Sequence, residues 1–123
     1  MAKLELEGME DLVTVVEKLG LQGNRIENKA LRAAGELVQA AIAGETPQRS
    51  GTLKDSIKTS GVRTRGGMKQ VAVGPDEKGW YGKFVEFGTV KRKANPFMAR
   101  GYEISKEEAV EKIAEELKKG LGL

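Results

Sequence analysis

The sequence contains no histidine and no cysteine among its 123 residues. Without histidine the commonest metal ligand and general base is missing, so acid–base or metal chemistry would depend on carboxylates alone. Without cysteine the chain cannot form disulfides, which agrees with a reducing compartment. We therefore expect no enzymatic activity, no cofactor, no metal site and no small-molecule substrate.

Long apolar runs are also missing, since no run approaches the roughly 18 residues that span a membrane. The N-terminal segment MAKLELEG carries acidic residues and lacks the apolar stretch of a signal peptide. With 39% apolar and 32% charged residues, the composition is typical of a soluble domain with a small core. The length predicts a single domain over residues 1–123. Because a membrane-spanning run is missing, we expect no membrane contact.

Basic and acidic residues are nearly balanced over the whole chain, since the formal net charge is only +3. The distribution is uneven, however: residues 49–93 hold eleven basic and four acidic residues, whereas the rest of the chain holds ten and fourteen. Regions of opposite sign can pair between copies of a protein, or the basic region can face a polyanion.

Hydrophobic periodicity predicts three helices. The first covers Met9 to Leu19 and stops at Gly20, and the second runs from Asn24 to Gly44 with a capping-box start. A terminal helix is expected from Phe97 or Met98 to Gly120. Because Gly101 weakens its first part, a kink or a break near Tyr102 stays open. A short strand is expected at Lys3 to Glu7.

The middle of the chain predicts a β-hairpin. Lys54 to Val62 and Gln70 to Gly74 alternate in polarity, and the connection between them contains a Gly-Gly pair. Its basic tip (Arg63, Arg65, Gly66, Gly67) is expected to be mobile in the isolated subunit. A phosphate site is not expected there, since no helix follows the glycines.

After the hairpin we expect a helical turn at Gly79 to Lys83 and a short strand at Phe84 to Phe87, although one longer helix also fits. The order of the elements then predicts an α+β fold, in which a small antiparallel sheet with a β-hairpin packs against a long helix in the N-terminal half and a C-terminal helix.

Aromatic residues are scarce, at 5% of the chain, but most lie in one stretch, WYGKFVEFGTVKRKANPF, from Trp80 to Phe97. Because aromatic side chains bury much area, we expect Phe84, Phe87 and Phe97 to pack against the apolar stripe of the second helix, residues 26–42. Trp80 and Tyr81 are expected to anchor the core or an interface.

Glu86 is the charged residue of this stretch that needs an explanation, because it lies between Val85 and Phe87. An unpaired buried charge is costly. An ion pair with a basic residue such as Arg49, or a contact between subunits, remains open, whereas catalysis is disfavoured because no second carboxylate lies in a distinctive setting.

The stretch from Tyr81 to Met98, with its FVEFGT and PFM segments, resembles the signature of tail-component proteins of siphophages and prophages. The upstream segment PQRSGTLKDSI, at residues 47–57, resembles the second landmark of that family. The residues that carry the resemblance or flank it are candidates for fold motifs or interfaces: Arg49, Gly51, Leu53, Trp80, Tyr81, Glu86, Phe87, Gly88, Thr89, Lys91, Arg92, Lys93, Pro96 and Phe97.

The resemblance implies a non-enzymatic structural protein that acts in tail completion or head–tail joining. Such a protein would form a ring matching the sixfold tail axis, contact other neck or tail proteins, and belong to the virion after assembly in the host cytoplasm. Non-specific contact with DNA passing through the ring would follow from the basic residues. The alternative is a basic nucleic-acid-binding domain, which a salt-dependent gel shift would identify.

Overall fold

The structure is a computed structural model that describes residues 9–48 and 51–123. Its helices are α1 (Met9–Glu17), α2 (Leu21–Glu45), α3 (Thr52–Ser56), α4 (Gly82–Phe87) and α5 (Phe97–Gly120). Its strands are β1 (Ile57–Thr59), β2 (Arg63–Arg65), β3 (Met68–Gln70) and β4 (Val73–Pro75), and a 3₁₀ turn covers Glu77–Gly79. The predicted α+β class is confirmed. The strand expected at Lys3 to Glu7 lies outside the described residues.

Helices α2 and α5 pack along each other and form the frame of the fold. Small residues permit this close approach: a Cβ placed on Gly101 would lie only 2.6 Å from the Ile42 Cα atom. Helix α5 runs without a break through Gly101 and Tyr102, so the break that the sequence allows there is absent. Glycine weakens helix propensity, but at this position it allows the two helices to touch.

Helix α2 begins earlier than its capping pattern indicates. Gly20, with φ 61°, separates it from α1, and the N–H of Asn24 already donates to the Gly20 carbonyl at 2.9 Å. The capping-box prediction at Asn24 is therefore wrong. The side chain of Asn24 accepts a hydrogen bond from Lys69 of the hairpin instead.

The predicted hairpin is confirmed, and it consists of two successive ladders. Strand β1 pairs with β4 next to α2, and β2 pairs with β3 beyond them, both antiparallel. Ser60 joins the ladders, since its N–H donates to the Ala72 carbonyl and its Oγ accepts from the Ala72 N–H. Gly66 and Gly67 both have positive φ, as a type I′ turn requires. The first three residues of the expected strand, 54–56, belong to helix α3 instead.

Two apolar clusters form the core on either half of α2. The first contains Ile42, Leu53, Ile57 and Phe97, all buried. The second contains Val16, Ala30 and Leu117, and it holds α1 against α2 and α5. Both clusters include residues from α2 and α5, so this pair of helices links the two halves.

The aromatic core expected from the sequence is only partly correct. Phe97 is fully buried, but Phe84 is 45% and Phe87 78% exposed. The reason is that residues 82–87 form helix α4 and not a strand. Positions three apart share one face of a helix, so Phe84 and Phe87 point outward together while Val85 and Glu86 point inward.

Candidate interaction surface

The carboxylate of Glu86 binds the start of helix α5. It is only 7% exposed, and its two oxygens accept hydrogen bonds from the backbone N–H groups of Met98, at 2.9 Å, and Ala99, at 3.1 Å. The first N–H groups of a helix have no partner within the helix, and Pro96, at the N-cap position, has no side-chain acceptor to offer. Glu86 therefore caps α5 from α4, and its negative charge is favourable at this end of the helix dipole.

This geometry gives Glu86 a role in the fold. Its described partners are backbone groups of its own chain, so the carboxylate fixes the angle at which α5 leaves the loop after α4. Arg49, the expected ion-pair partner, lies outside the described residues, and the ion pair therefore stays a prediction.

The loop between α4 and α5 is held by Gly88 and Thr89. Gly88 has φ 77° and ψ 176°, and a Cβ there would lie 2.7 Å from the Ala94 nitrogen. The Thr89 side chain accepts from the N–H groups of Lys91 and Arg92, at 3.3 and 3.1 Å. At the end of the loop Asn95 donates to the Val85 carbonyl at 2.8 Å. The loop is thus closed back onto α4, and its middle residues, 90–93, are exposed.

A groove of about 790 Å³ lies between this loop, α3 and α4. Its floor is largely apolar, formed by Pro47, Leu53, Tyr81, Phe84 and Val85. Its rim is formed by the polar and basic loop residues Thr89, Lys91, Arg92, Lys93 and Asn95. None of the three basic side chains forms an ion pair with a residue that the structure describes. The groove therefore combines an apolar floor with a positively charged edge.

Exposed apolar side chains of α4 and its flanking turns form what we call the aromatic patch: Trp80, Phe84, Phe87 and Val90. Trp80 is 67% exposed, and Val90 is fully exposed. The Trp80 ring stands edge-on to the rings of Tyr81 and Phe84, at centroid distances of 5.9 and 6.2 Å. Phe84 belongs to the patch and to the groove floor, so the two form one continuous surface. Exposed aromatic groups of this kind mark protein interaction sites.

The basic hairpin tip lies at a different place on the molecule. Lys69, at its base, donates to Asn24 and Asn28 near the start of α2 and approaches Glu27 at 3.8 Å. The groove lies beside Pro47, just beyond the other end of α2. About 22 helical residues separate the two sites, which corresponds to roughly 33 Å. The basic middle of the sequence therefore forms two separate surfaces, and the mobility of Arg63, Arg65, Gly66 and Gly67 stays a prediction.

Three further candidates from the sequence, Leu53, Gly51 and Tyr81, lie in the core or in the turn before α3. Leu53 is buried in the first core cluster, and Gly51 adopts a left-handed conformation before α3. Tyr81 packs against the same cluster while lining the groove. Sequence reasoning missed the outward position of Phe84, although its spacing from Phe87 offered that signal. It also missed Val90, whose exposure no local pattern indicates.

Two classes of site are not found in the described part of the chain. No group of three or more Asp and Glu side chains there is arranged to hold a metal ion. No helix in residues 9–48 and 51–123 is long and apolar enough to cross a membrane.

Comparison with known proteins gives a match to a family model. The model describes a tail component of bacteriophages, named after HK97-gp10, and it matches residues 10–88. No curated protein and no solved structure matches the chain. The matched range covers α1 to α4 and includes Glu86 and Gly88, whereas the Pro96–Phe97 segment lies beyond it. Since the match extends over more than half of the chain, this protein belongs to the HK97-gp10-like family of bacteriophage tail components.

Proposed function

We propose that this protein is a non-enzymatic structural subunit of the phage neck, which completes the tail or joins it to the head as part of a ring. Membership of a tail-component family supports a structural role in the virion. The observation that carries the proposal is the aromatic patch with its adjoining groove, because this surface is suited to protein contacts.

The patch is costly for an isolated subunit. Trp80, Phe87 and Val90 are exposed, and the two core clusters are built without them. Contiguous exposed apolar surface on a soluble protein marks a site that a partner covers. Tryptophan and arginine, both present here, are enriched among residues that dominate binding energy. The patch would therefore be buried in the assembled neck.

A ring also explains the asymmetric charge. Rings use heterologous contacts, in which two different surfaces of one subunit meet head to tail. The groove surface and the acidic residues of α5 are two such surfaces of opposite sign. The remaining basic surface, at Arg63 and Arg65 of the hairpin tip, would then be free for non-specific contact with DNA or for other neck and tail proteins.

The test is a nonsense mutation in this gene, in the phage or prophage that carries it. We expect lysates with separate heads and tails in electron micrographs, because tails without the terminal ring would not join. A plasmid copy of the native gene should restore joined particles. Joined, infectious particles from the nonsense mutant would contradict the proposal.

Complementation also tests the aromatic patch. The variant W80A/F87A should fold but fail to restore joining, since both side chains are exposed. The matched control is Leu21→Ala, which removes another exposed apolar side chain far from the patch, and it should restore joining. Equal complementation by both variants would exclude a role for the patch in the joining of heads and tails.

Binding to nucleic acid is the second candidate, and the unpaired Lys91, Arg92 and Lys93 favour it. A DNA gel shift at physiological ionic strength that weakens steeply with added salt would support it. The variant K91E/R92E/K93E should then lose the shift. The apolar floor between these residues and α4 favours a protein partner instead.

A further inference from the structure

We propose that the groove binds one face of helix α5 from a second copy of the protein. We call this the acidic face, and it consists of Ile104, Glu107, Glu108 and Glu111. The proposal rests on the ring proposed above and specifies which two surfaces meet in it.

The acidic face is formed by the helical repeat. Positions 104, 107, 108 and 111 are three or four residues apart, which places them on one side of α5. All four are exposed, and Ile104 is 64% exposed at the end of the row. The opposite side of α5, including Ala109 and Leu117, is buried in the fold. The acidic face is therefore available to another molecule along its whole length.

The charges of this face have no ion-pair partner in the part of the subunit that the structure describes. Lys106 pairs with Glu103, and Lys112 pairs with Glu115 and Glu116. Among the described residues, Glu107, Glu108 and Glu111 form no ion pair. Glu116, which the sequence would also assign to an acidic surface, is buried and already paired with Lys112, so it does not contribute.

The groove is complementary to this face in charge and in polarity. Three unpaired basic residues on its rim, Lys91, Arg92 and Lys93, oppose three unpaired glutamates. The apolar floor next to Phe84 offers a site for Ile104, which is otherwise an exposed isoleucine in a charged row. An amphipathic helix laid into a groove is a common mode of recognition, with side chains at this spacing as anchors. Within one subunit none of the six charges pairs with another, so the pairing requires two copies.

The contact would be heterologous, because the groove and the acidic face are different surfaces. Each subunit then has one of each and can bind two neighbours, so the contact propagates and can close into a ring. The attraction between exposed charges is screened by salt, so association should be stronger at low ionic strength.

The experiment is a charge exchange followed by sedimentation velocity over a range of concentrations at low salt. The groove variant is K91E/R92E/K93E, and the face variant is E107K/E108K/E111K. We expect the native protein to form larger species with concentration, and each variant alone to associate at least about tenfold more weakly, because three attractive pairs become repulsive. An equimolar mixture of the two variants should regain association, because each reversed surface then meets its complement.

Two controls test whether the loss of association depends on the position of the charges and on the apolar anchor, and not only on net charge. The variant K18E/R25E/R32E carries the same charge change as the groove variant, on exposed residues of the α1–α2 region, and should associate like the native protein. Ile104→Ala keeps every charge and should still weaken association, since it removes the apolar anchor. Circular dichroism of all variants should match that of the native protein.

Recovery in the mixture, with weak association of each variant alone, supports the pairing. Unchanged association of both variants, or a mixture that stays monomeric, would overturn it. A native protein that remains monomeric at every concentration would also overturn it. The nonsense-mutant phage tests the proposed function separately: separate heads and tails there, together with unaffected association of the variants, would reject this pairing and leave the structural role intact.

Discussion

At the residue scale, Glu86 shows how the start of a helix can stabilise a buried carboxylate. Its two oxygens satisfy two N–H groups that the start of α5 leaves without partners. The charge is then compensated by hydrogen bonds and by the dipole of a 24-residue helix. The glutamate that looks like a functional site in the sequence therefore acts through the fold, because it determines where α5 begins.

Replacing Glu86 by alanine should lower the free energy of unfolding by about 1.5–3 kcal/mol, the range for hydrogen bonds to a charged group. Glu86→Gln keeps one acceptor oxygen and should lose less. Urea denaturation measures both, and amide exchange should become faster at Met98 and Ala99. The exposed Glu36→Ala serves as the control and should stay within about 0.5 kcal/mol. An alanine variant as stable as the native protein would show that the cap does not stabilise the fold.

Gly88→Ala should destabilise the protein by at least about 2 kcal/mol, because its backbone conformation is nearly restricted to glycine and an added Cβ meets Ala94. Gly51→Ala is the comparison, since Gly51 has a similar φ of 76° but no atom within 4 Å of an added Cβ. It should cost only about 1–2 kcal/mol, the penalty of the left-handed conformation. Thermal unfolding measures the difference, and equal losses would argue against the close contact at Ala94.

At the element scale, the pairing of α2 with α5 depends on a glycine that helix propensity alone would disfavour. Gly101 lies against the backbone of Ile42, so even a methyl group has no room between the helices. Helix α4 shows a second effect of secondary structure on burial. Because its six residues form a helix, two phenylalanines lie on the surface and a glutamate lies inside.

Gly101→Ala should destabilise the protein by about 1–3 kcal/mol, because the added methyl group forces α2 and α5 apart. Gly44→Ala should have the opposite sign and stabilise it by up to about 1 kcal/mol, since the site is helical, exposed and open. Urea midpoints of the two variants test this. A stabilising effect at Gly101 would mean that the helices adjust freely.

Phe97→Ala should cost about 3–5 kcal/mol, as is usual for a fully buried aromatic side chain. Phe87→Ala should change stability by no more than about 0.5 kcal/mol, because the side chain is largely exposed. Urea denaturation curves of the two variants, measured under the same conditions, test this difference in stability. A large loss of stability in Phe87→Ala would show that Phe87 is buried in the core, as the sequence alone predicts.

At the scale of the whole molecule, the basic middle of the sequence separates into the groove rim and the hairpin tip, which lie near opposite ends of α2. Acidic residues of α5 form a third surface. A subunit with separated surfaces of opposite sign is suited to head-to-tail assembly, and the exposed aromatic patch adds apolar area that charge pairs alone do not supply.

Reversing Lys91, Arg92 and Lys93 to glutamate in the phage genome should block tail completion while the purified variant keeps its fold. The reason is that the rim would repel any acidic partner that docks in the groove. Counts of infectious particles and of free tails in electron micrographs provide the measurement. K18E/R25E/R32E is the control of equal charge change and should give normal particles. Normal particles from the rim variant would exclude a role for the basic rim in assembly.

The α+β class, the three main helices and the hairpin could be predicted from the sequence, because these depend on local signals. Apolar residues at helical spacing and a Gly-Gly pair act over a few residues, and the chain has little freedom to override them. The FVEFGT motif was recognisable in the sequence for the same local reason. Its residues could be selected as a fold or interface motif, and the family match includes Glu86 and Gly88.

Tertiary structure decided what those residues do. Glu86 finds its partners twelve and thirteen residues away, Gly101 faces Ile42 across a helix pair, and the phenylalanines of α4 point outward. A six-residue segment carries too few positions to distinguish a strand from a helix by periodicity, and that choice changes which side chains share a face. The partner of a carboxylate and the room for a methyl group depend on contacts between distant segments, and local preference carries no information about them.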